Sequence, residues 1–220
     1  MTDLFTIPTP RRGFLGSVAA AAFGAAMGGA VPGAVDAETP GRAADPKLEA
    51  WFGKLNGKHR ILFDASAVNG GMPAVWPRVY LNSMQATYPG ETCSAMVICR
   101  HEGLPLALGD AVWSKYKLGE MFDVKVNNAP ATANPYITIT NLPLPGLGVG
   151  ELLKSGVLFG ACDVALTVYS AGAASKMGMD PAAAKAEWVA GLIPGVQVVP
   201  SGVMAVGRGQ EFGAQYCFAG

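Results

Sequence analysis

Ser94-Ala95-Met96-Val97-Ile98-Cys99 is the stretch that decides the fold. It is a continuous run of small and apolar residues without a charge, which is typical of a strand covered on both of its faces. Such strands occur in parallel sheets that lie between two layers of helices. The stretch therefore predicts an α/β protein with this strand inside its central sheet.

Other apolar segments alternate with helical patterns along the chain. We predict strands over 59–64, 157–161, 196–199 and 215–218, and helices over 75–88, 104–118, 149–155, 162–176, 180–192 and 202–212. Asp45-Pro46 offers an N-cap and a first-turn proline for a further short helix that carries Trp51 and Phe52. Short apolar strands that alternate with helices indicate a three-layer α/β/α fold with a mainly parallel sheet of about five strands.

Residues 120–148 interrupt this alternation. The segment is rich in proline and asparagine, and it contains one short alternating stretch, Tyr136–Thr140. A connection of this length inside a compact domain is usually functional. We therefore expect residues 120–148 to form a long loop that acts as a lid or as an arm between subunits.

The N-terminal residues predict export. Arg11-Arg12 precede an uncharged run from Gly13 to Val35, and small residues surround a cleavage site after Ala37. A basic start, a weakly apolar run and a small-residue cleavage site form a signal peptide, and the paired arginines indicate the twin-arginine route. Residues 1–37 are thus the predicted leader, 38–56 a linker with the short helix, and 57–220 the folded domain.

This leader implies a periplasmic or other extracytoplasmic protein that the twin-arginine translocase carries in the folded state. The alternative is a membrane anchor, since the uncharged run is long enough to span a bilayer. Alanine and glycine, which dominate the run, supply little transfer energy compared with leucine or isoleucine. Cleavage is therefore the favoured interpretation.

The charge balance bears on the partners of the protein. The chain carries 16 basic and 16 acidic side chains, and half of its residues are hydrophobic. Because no basic patch or run is visible, nucleic acid is not an expected partner. The absence of net charge together with the apolar content favours self-association instead.

The cysteines do not form a recognisable pattern. Cys93, Cys99, Cys162 and Cys217 include no CxxC pair. Cys93 and Cys99 fall on one predicted strand about 20 Å apart, which is too far for a disulfide. The histidines, His59 and His101, lie at opposite ends of predicted strands, and these residues lack the spacing of a zinc site. We predict neither a metal nor a cofactor.

Candidate site residues follow from the sheet itself, because ligands of open α/β sheets bind beyond the carboxyl ends of the strands. Asp64, Cys99, Arg100 and Asp163 lie at these ends without an assigned role. The residues to which we assign catalytic or ligand-binding roles are Asn69 and Gly70 after the first strand, His101 and Glu102 after the second, Cys162 after the third, and Ser201 after the fourth.

Cys162 is the strongest of these candidates. It falls where a strand turns into a helix, so backbone N–H groups and the helix dipole could stabilise a thiolate there. Asp163 opposes this effect with its own negative charge. His101 could orient an anion or deprotonate Cys162. The alternatives are a small buried hydrophobic residue for Cys162 and a hydrogen-bonded turn residue for His101.

Four segments of the chain resemble exported members of the DsrE/DsrF-like superfamily, and the likeness covers most of residues 57–220. The segments are 97–105, 113–119, 154–166 and 199–203. The resemblance implies a three-layer α/β/α fold and homo-oligomers, commonly trimers or hexamers. In the sulfur-relay members a cysteine after the third strand carries sulfur as a persulfide, and Cys162 occupies the matching position.

The leading functional hypothesis is an exported protein that binds or relays sulfane sulfur through Cys162. His101 and nearby amides would stabilise the anion, and a sulfur donor or acceptor protein would be the partner. The alternative is a non-enzymatic periplasmic module that binds a small ligand or assists assembly, with structural cysteines. A third hypothesis is a small-molecule hydrolase or reductase that uses His101 and Glu102.

Overall fold

Five parallel strands form the central sheet of the computed structural model, which describes residues 45–220. The strands are β1 (His59–Ala67), β2 (Cys93–Glu102), β3 (Leu158–Cys162), β4 (Gln197–Val199) and β5 (Gln215–Phe218), in the spatial order β4-β3-β2-β1-β5. Every neighbouring pair is parallel. The predicted three-layer α/β/α fold is confirmed. The leader, residues 1–37, lies outside the described residues.

Helices connect these strands and cover both faces of the sheet. They are α1 (Pro46–Phe52), α2 (Trp76–Thr87), α3 (Asp110–Tyr116), α4 (Leu118–Met121), α5 (Val149–Lys154), α6 (Asp163–Met177), α7 (Pro181–Ala190) and α8 (Gly202–Glu211). Asp45 and Asp180 are the N-caps of α1 and α7, and each carboxylate accepts a backbone N–H of the first turn. None of the helices within residues 45–220 is long and apolar enough to cross a membrane.

The direction of the crossovers explains the two helical layers. The connections from β1 to β2, β3 and β4 all step the same way across the sheet, whereas the last connection returns to the far side of β1. Parallel crossovers are right-handed, so a reversal of direction transfers the connecting helix to the other face. Accordingly, helices α2 to α7 share one face, and α8 lies on the opposite face beside α1.

The alternation of side chains along β1 and β2 separates the two cores. Phe63 and Val97 point into the larger core, which includes Trp113 of α3 and Trp188 of α7. The neighbouring residues Leu62, Met96 and Ile98 point into the smaller core with Trp51 and Phe52 of α1 and Ala205 of α8. The sheet is therefore apolar on both faces, as the stretch 94–99 predicts.

The helix predicted over 104–118 is wrong as one continuous element. A short 3₁₀ helix, Leu104–Ala107, is followed by an extended turn before α3 begins, and Lys117 adopts a left-handed conformation between α3 and α4. The amide of Asn134 donates hydrogen bonds to the carbonyls of Pro105, Leu106 and Leu108. These bonds satisfy the carbonyl groups that a helix would otherwise pair, and they come from a residue distant in sequence.

Residues 120–148 contact the body of the domain through buried side chains such as Ala131 and Tyr136, whereas residues 125–130 are exposed. Lys125–Val126 and Ala129–Pro130 form a small antiparallel hairpin. The stretch Tyr136–Thr140 joins no sheet strand, and its Ile139 makes only an isolated bridge with Leu147. The Tyr136 ring lies 6.3 Å from the ring of Trp113. The lid and the subunit arm both remain predictions for this segment.

We predict that Gly119→Ala destabilises the protein, because a Cβ at this position would overlap the carbonyl of Ala131, with the carbonyl carbon 2.9 Å away. Overpacking of this kind lowers the free energy of unfolding by about 1–3 kcal/mol. The matched control is Gly172→Ala in α6, where a Cβ meets nothing within 4 Å, and which should raise stability by about 0.5–1 kcal/mol. Urea unfolding measures both, and equal stabilities of the two variants would contradict this packing.

Candidate functional site

Polar side chains from all five strands, or from the turns after them, form a row near the carboxyl edge of the sheet. In spatial order they are Ser201 after β4, Cys162 at the end of β3, Arg100 in β2, Asp64 in β1 and Tyr216 in β5. The crossover after β3 leads to one face of the sheet and the crossover after β4 to the other. This is the switch point at which open α/β sheets bind ligands.

Asp64 and Arg100 form a two-point ion pair inside this row. Arg100 Nε donates to Asp64 Oδ1 at 2.7 Å, and Arg100 Nη2 donates to Asp64 Oδ2 at 2.8 Å. The Tyr216 hydroxyl donates to the same Oδ2 at 3.0 Å. Asp64 is only 2% exposed, so its buried charge is compensated by three donors. The hydrogen bonds to Asp64 are the main reason why the pKa of Arg100 is raised.

Tyr216 remains a neutral donor in this cluster. Its pKa is raised above the ordinary value, first because of partial burial and then because its hydroxyl donates to the carboxylate of Asp64. A proton on the phenol is therefore favoured at any pH near neutrality. The cluster consists of one anion, one cation and one neutral hydroxyl.

Cys162 lies at the junction of β3 and α6. Its Sγ accepts a hydrogen bond from the backbone N–H of Ala165 at 3.4 Å, so the thiol is the N-cap of this 15-residue helix. Cys99 pairs with Ala161 across the sheet, so the backbones of the following residues, Arg100 and Cys162, are adjacent, and the Cys162 side chain packs with the larger core. A negative charge on Cys162 also contributes to the raised pKa of Arg100, as the smallest of its causes. Cys162 as a residue is 6% exposed.

The negative charge of Asp163 next to the thiol is balanced by a partner. Lys185 of α7 donates from Nζ to Asp163 Oδ2 at 2.9 Å. The repulsion that the sequence predicts between Asp163 and a Cys162 thiolate is therefore weakened. The sequence does not predict Lys185 as the partner of Asp163, because no local pattern links a residue of α7 to the first turn of α6.

Ser201 is the N-cap of α8, and its Oγ accepts the backbone N–H of Met204 at 3.1 Å. The next residue, Gly202, packs directly on the aliphatic stem of Arg100. A Cβ at Gly202 would lie 3.0 Å from Cδ of Arg100 and closer still to its Cβ. The first turn of α8 therefore holds Arg100 from the side opposite the sheet.

His101 and Glu102 continue β2 beyond Arg100. His101 is exposed, has a left-handed backbone (φ 48°) and packs its ring edge-on against Tyr169 of α6 at 6.2 Å. Burial, with the charge of Glu102, raises the pKa of Tyr169 to about 12. Tyr169 lies about 10 Å along the helix axis from Cys162. His101 therefore contacts the second turn of α6 and not the first turn, where Cys162 lies. Its predicted role toward Cys162 stays a prediction.

Asn69 and Gly70 follow β1 and lie toward the β5 edge of the sheet, next to the C-terminal residues. The Asn69 amide donates to the carbonyl of Ala219 at 2.9 Å. Asn69 and Gly70 both have positive φ, 41° and 60°, in the 3₁₀ turn after β1. The hydrogen bond of Asn69 ties the turn after β1 to the C-terminal residues, and the ligand-binding roles of Asn69 and Gly70 stay predictions.

The cysteines differ strongly in their surroundings. All four are free thiols; Cys93 and Cys217 are partly exposed, whereas Cys99 and Cys162 are buried. Complete burial raises the pKa of Cys99 to about 12. Within residues 45–220, no group of three or more histidine, cysteine or acidic side chains is placed to hold a metal ion.

Comparisons with known proteins add little. No protein-family model matches the chain, and no curated protein matches it. One similar solved structure is MTH1491, a protein of unknown function from Methanobacterium thermoautotrophicum. It shares 19% sequence identity, the match covers 73% of this chain and 99% of that chain, and the TM-score is 0.41.

We predict that Cys99 resists alkylation in the folded protein. With a pKa of about 12, only about one thiol in a thousand is ionised at pH 9. Cys217, which is partly exposed, serves as the internal control. Iodoacetamide treatment at pH 9 followed by peptide mass mapping should label Cys217 and leave Cys99 free until the protein is denatured. Equal labelling of the two under native conditions would contradict the packing around β2.

Proposed function

We propose that this protein is an exported sulfur carrier in which Cys162 holds sulfane sulfur as a persulfide and passes it to an acceptor. The observation that carries the proposal is the position of Cys162 Sγ as the N-cap of α6, where it accepts the N–H of Ala165. Free N–H groups and the positive end of a helix dipole favour an anion on sulfur at this position.

The chemistry of such a carrier is a pair of thiol–sulfane exchanges. The Cys162 thiolate attacks the outer sulfur of a donor such as thiosulfate. The sulfur–sulfur bond of the donor breaks, its electron pair leaves with sulfite, and the outer sulfur remains on Cys162 as a persulfide anion. An acceptor thiolate then attacks that terminal sulfur and restores the Cys162 thiolate.

The exposure of Cys162 agrees with a small donor. Cys162 is 6% exposed as a residue, and so confined a site favours a reactant of a few atoms over a bulky disulfide. The ion pair of Asp163 with Lys185 supports the same proposal, because it reduces the repulsion that a sulfur anion would meet.

The cellular setting is part of the proposal. In this proposal residues 1–37 are a leader that directs the carrier out of the cytoplasm, and the likeness of the four motif segments reflects membership of the DsrE/DsrF-like superfamily. A homo-oligomer, a sulfur donor or acceptor protein and the twin-arginine translocase are its proposed partners, and residues 120–148 are its proposed lid or subunit arm.

A second candidate is a non-enzymatic small-ligand-binding module, and a groove at the amino edge of the sheet favours it. The groove has a volume of about 660 Å³, within the range of small-molecule pockets. Trp51, Leu153, Ile193 and Pro194 give it apolar walls, and Lys54 and Lys154 line it as well. This groove lies at the end of the strands opposite Cys162.

The test of the sulfur carrier is uptake of sulfur by the folded protein. We expect treatment with thiosulfate or polysulfide to add the mass of one sulfur to the Cys162 peptide, and reductant to remove it. Cys162→Ser should abolish this gain, whereas Cys217→Ser, which removes a partly exposed thiol, should leave it intact. Sulfur found on Cys217 or Cys93 alone, or none at all, would refute the carrier and leave the binding module.

A further inference from the structure

The Asp64–Arg100 pair is unexpected at its position in the fold. Asp64 lies on a central strand between Phe63 and Ala65, and both of these neighbours are buried in the core. Withdrawal of an ion pair from water is costly, and apolar replacements of such pairs are often as stable or more stable. Stability alone therefore does not account for a charged pair in this sheet, and a function for it has to be considered.

The location of Arg100 suggests what that function is. Strand β2 lies between β1 and β3, so Arg100 originates between Asp64 on one side and Cys162 on the other. Asp64 is in register with Ile98, which lies two residues before Arg100. The side chains of Asp64 and Arg100 therefore point to the same face of the sheet. Arg100 is thus a cation on the strand next to the thiol, and the anion of the pair is one strand further away.

Arg100 is also held firmly. Its Nε and Nη2 are both engaged by Asp64, and its stem is confined by Gly202 of α8. A two-point contact with a carboxylate fixes the plane of a guanidinium group as well as its distance. Nη1 takes no part in the contact with Asp64, and the Arg100 side chain as a whole is 29% exposed.

We propose that Arg100 is the cation that stabilises anionic sulfur on Cys162, and that Asp64 is the positioning residue that holds Arg100 in place. This inference rests on the proposed function of Cys162 and deepens it. It assigns to Arg100 the role that the sequence predicts for His101, whose ring packs instead against Tyr169.

The other charged groups around Cys162 do not supply a net cation. Asp163 at the start of α6 is paired with Lys185 of α7. His101 and Glu102 follow Arg100 in β2 and lie next to Tyr169 of α6. Tyr216 of β5 contacts Asp64, and the first turn of α8, residues 202–204, carries no ionisable side chain. The Asp64–Arg100 pair is therefore the charge pair whose cation belongs to the strand next to Cys162.

The expected sign of the effect follows from the order of the strands. The positive member of the pair is on the strand adjacent to β3, and the negative member is on the next strand. Replacement of both by neutral amides, Asp64→Asn/Arg100→Gln, removes more attraction than repulsion from a Cys162 thiolate. The double variant also avoids an unpaired buried charge, which each single neutral variant would leave.

The experiment measures the rate of Cys162 alkylation by iodoacetamide as a function of pH, with peptide mass mapping to isolate this thiol. We expect the midpoint of the rate profile to move up by about 0.5–1 pH unit in the double variant. Arg100→Lys keeps the charge but loses the two-point contact, and it should shift the midpoint in the same direction by less. Thermal unfolding recorded in parallel reports any purely structural loss.

The matched control is a second two-point pair, Arg208 of α8 with Glu49 of α1. Glu49→Gln/Arg208→Gln removes a similar contact at the far end of α8 from Ser201, and it should leave the midpoint of Cys162 unchanged. A shift of equal size in this control would overturn the proposal, because it would reveal a general effect of loosened packing.

Unchanged midpoints in the Asp64–Arg100 variants would also overturn it, even if the unmodified protein takes up sulfur on Cys162. If the double variant does not fold, Arg100→Lys decides the question by the same criterion. The opposite result separates the two proposals. If the protein takes up no sulfur but the midpoint of Cys162 depends on Arg100, the sulfur carrier is refuted and the electrostatic role of Arg100 is supported.

Discussion

The connections from β1 to β2, β3 and β4 step in one direction across the sheet, and the connection from β4 to β5 steps back. All four are constrained to be right-handed. This constraint sends the helix after β3 to one face and the helix after β4 to the other. The two strand ends at this reversal carry Cys162 and Ser201. The layers, the separation of the two cores and the place of the candidate site all follow from this reversal.

The charged pair Asp64–Arg100 is the main departure from a simple apolar sheet. Asp64 and Arg100 occupy positions on two central strands where apolar core residues would be expected. The hydroxyl of Tyr216 donates a further hydrogen bond to the Asp64 carboxylate. Gly202 lets the first turn of α8 approach the stem of Arg100. The same elements that close the smaller core therefore hold a cation on the strand next to Cys162, which links the stability of the fold to the chemistry proposed for the site.

The sequence predicted those features that depend on neighbouring residues. The strands, the end of β3 at Cys162 and the capped start of α7 at Asp180 follow from apolar runs and local turn signals, and the structure has them within a few residues. The break in the helix over 104–118 was not predictable, because it depends on the distant amide of Asn134. The partner of Asp64 was missed for the same reason, although a carboxylate in an apolar strand signals that a partner must exist.

The most direct measurement of the central claim is a crystal structure of the protein after treatment with polysulfide under native conditions. The account predicts one additional sulfur atom on Cys162 Sγ, at the N-terminus of α6, with a nitrogen of Arg100 near it and the contact between Arg100 and Asp64 intact. An unmodified Cys162 in crystals whose Cys93 or Cys217 carries the sulfur would contradict the account.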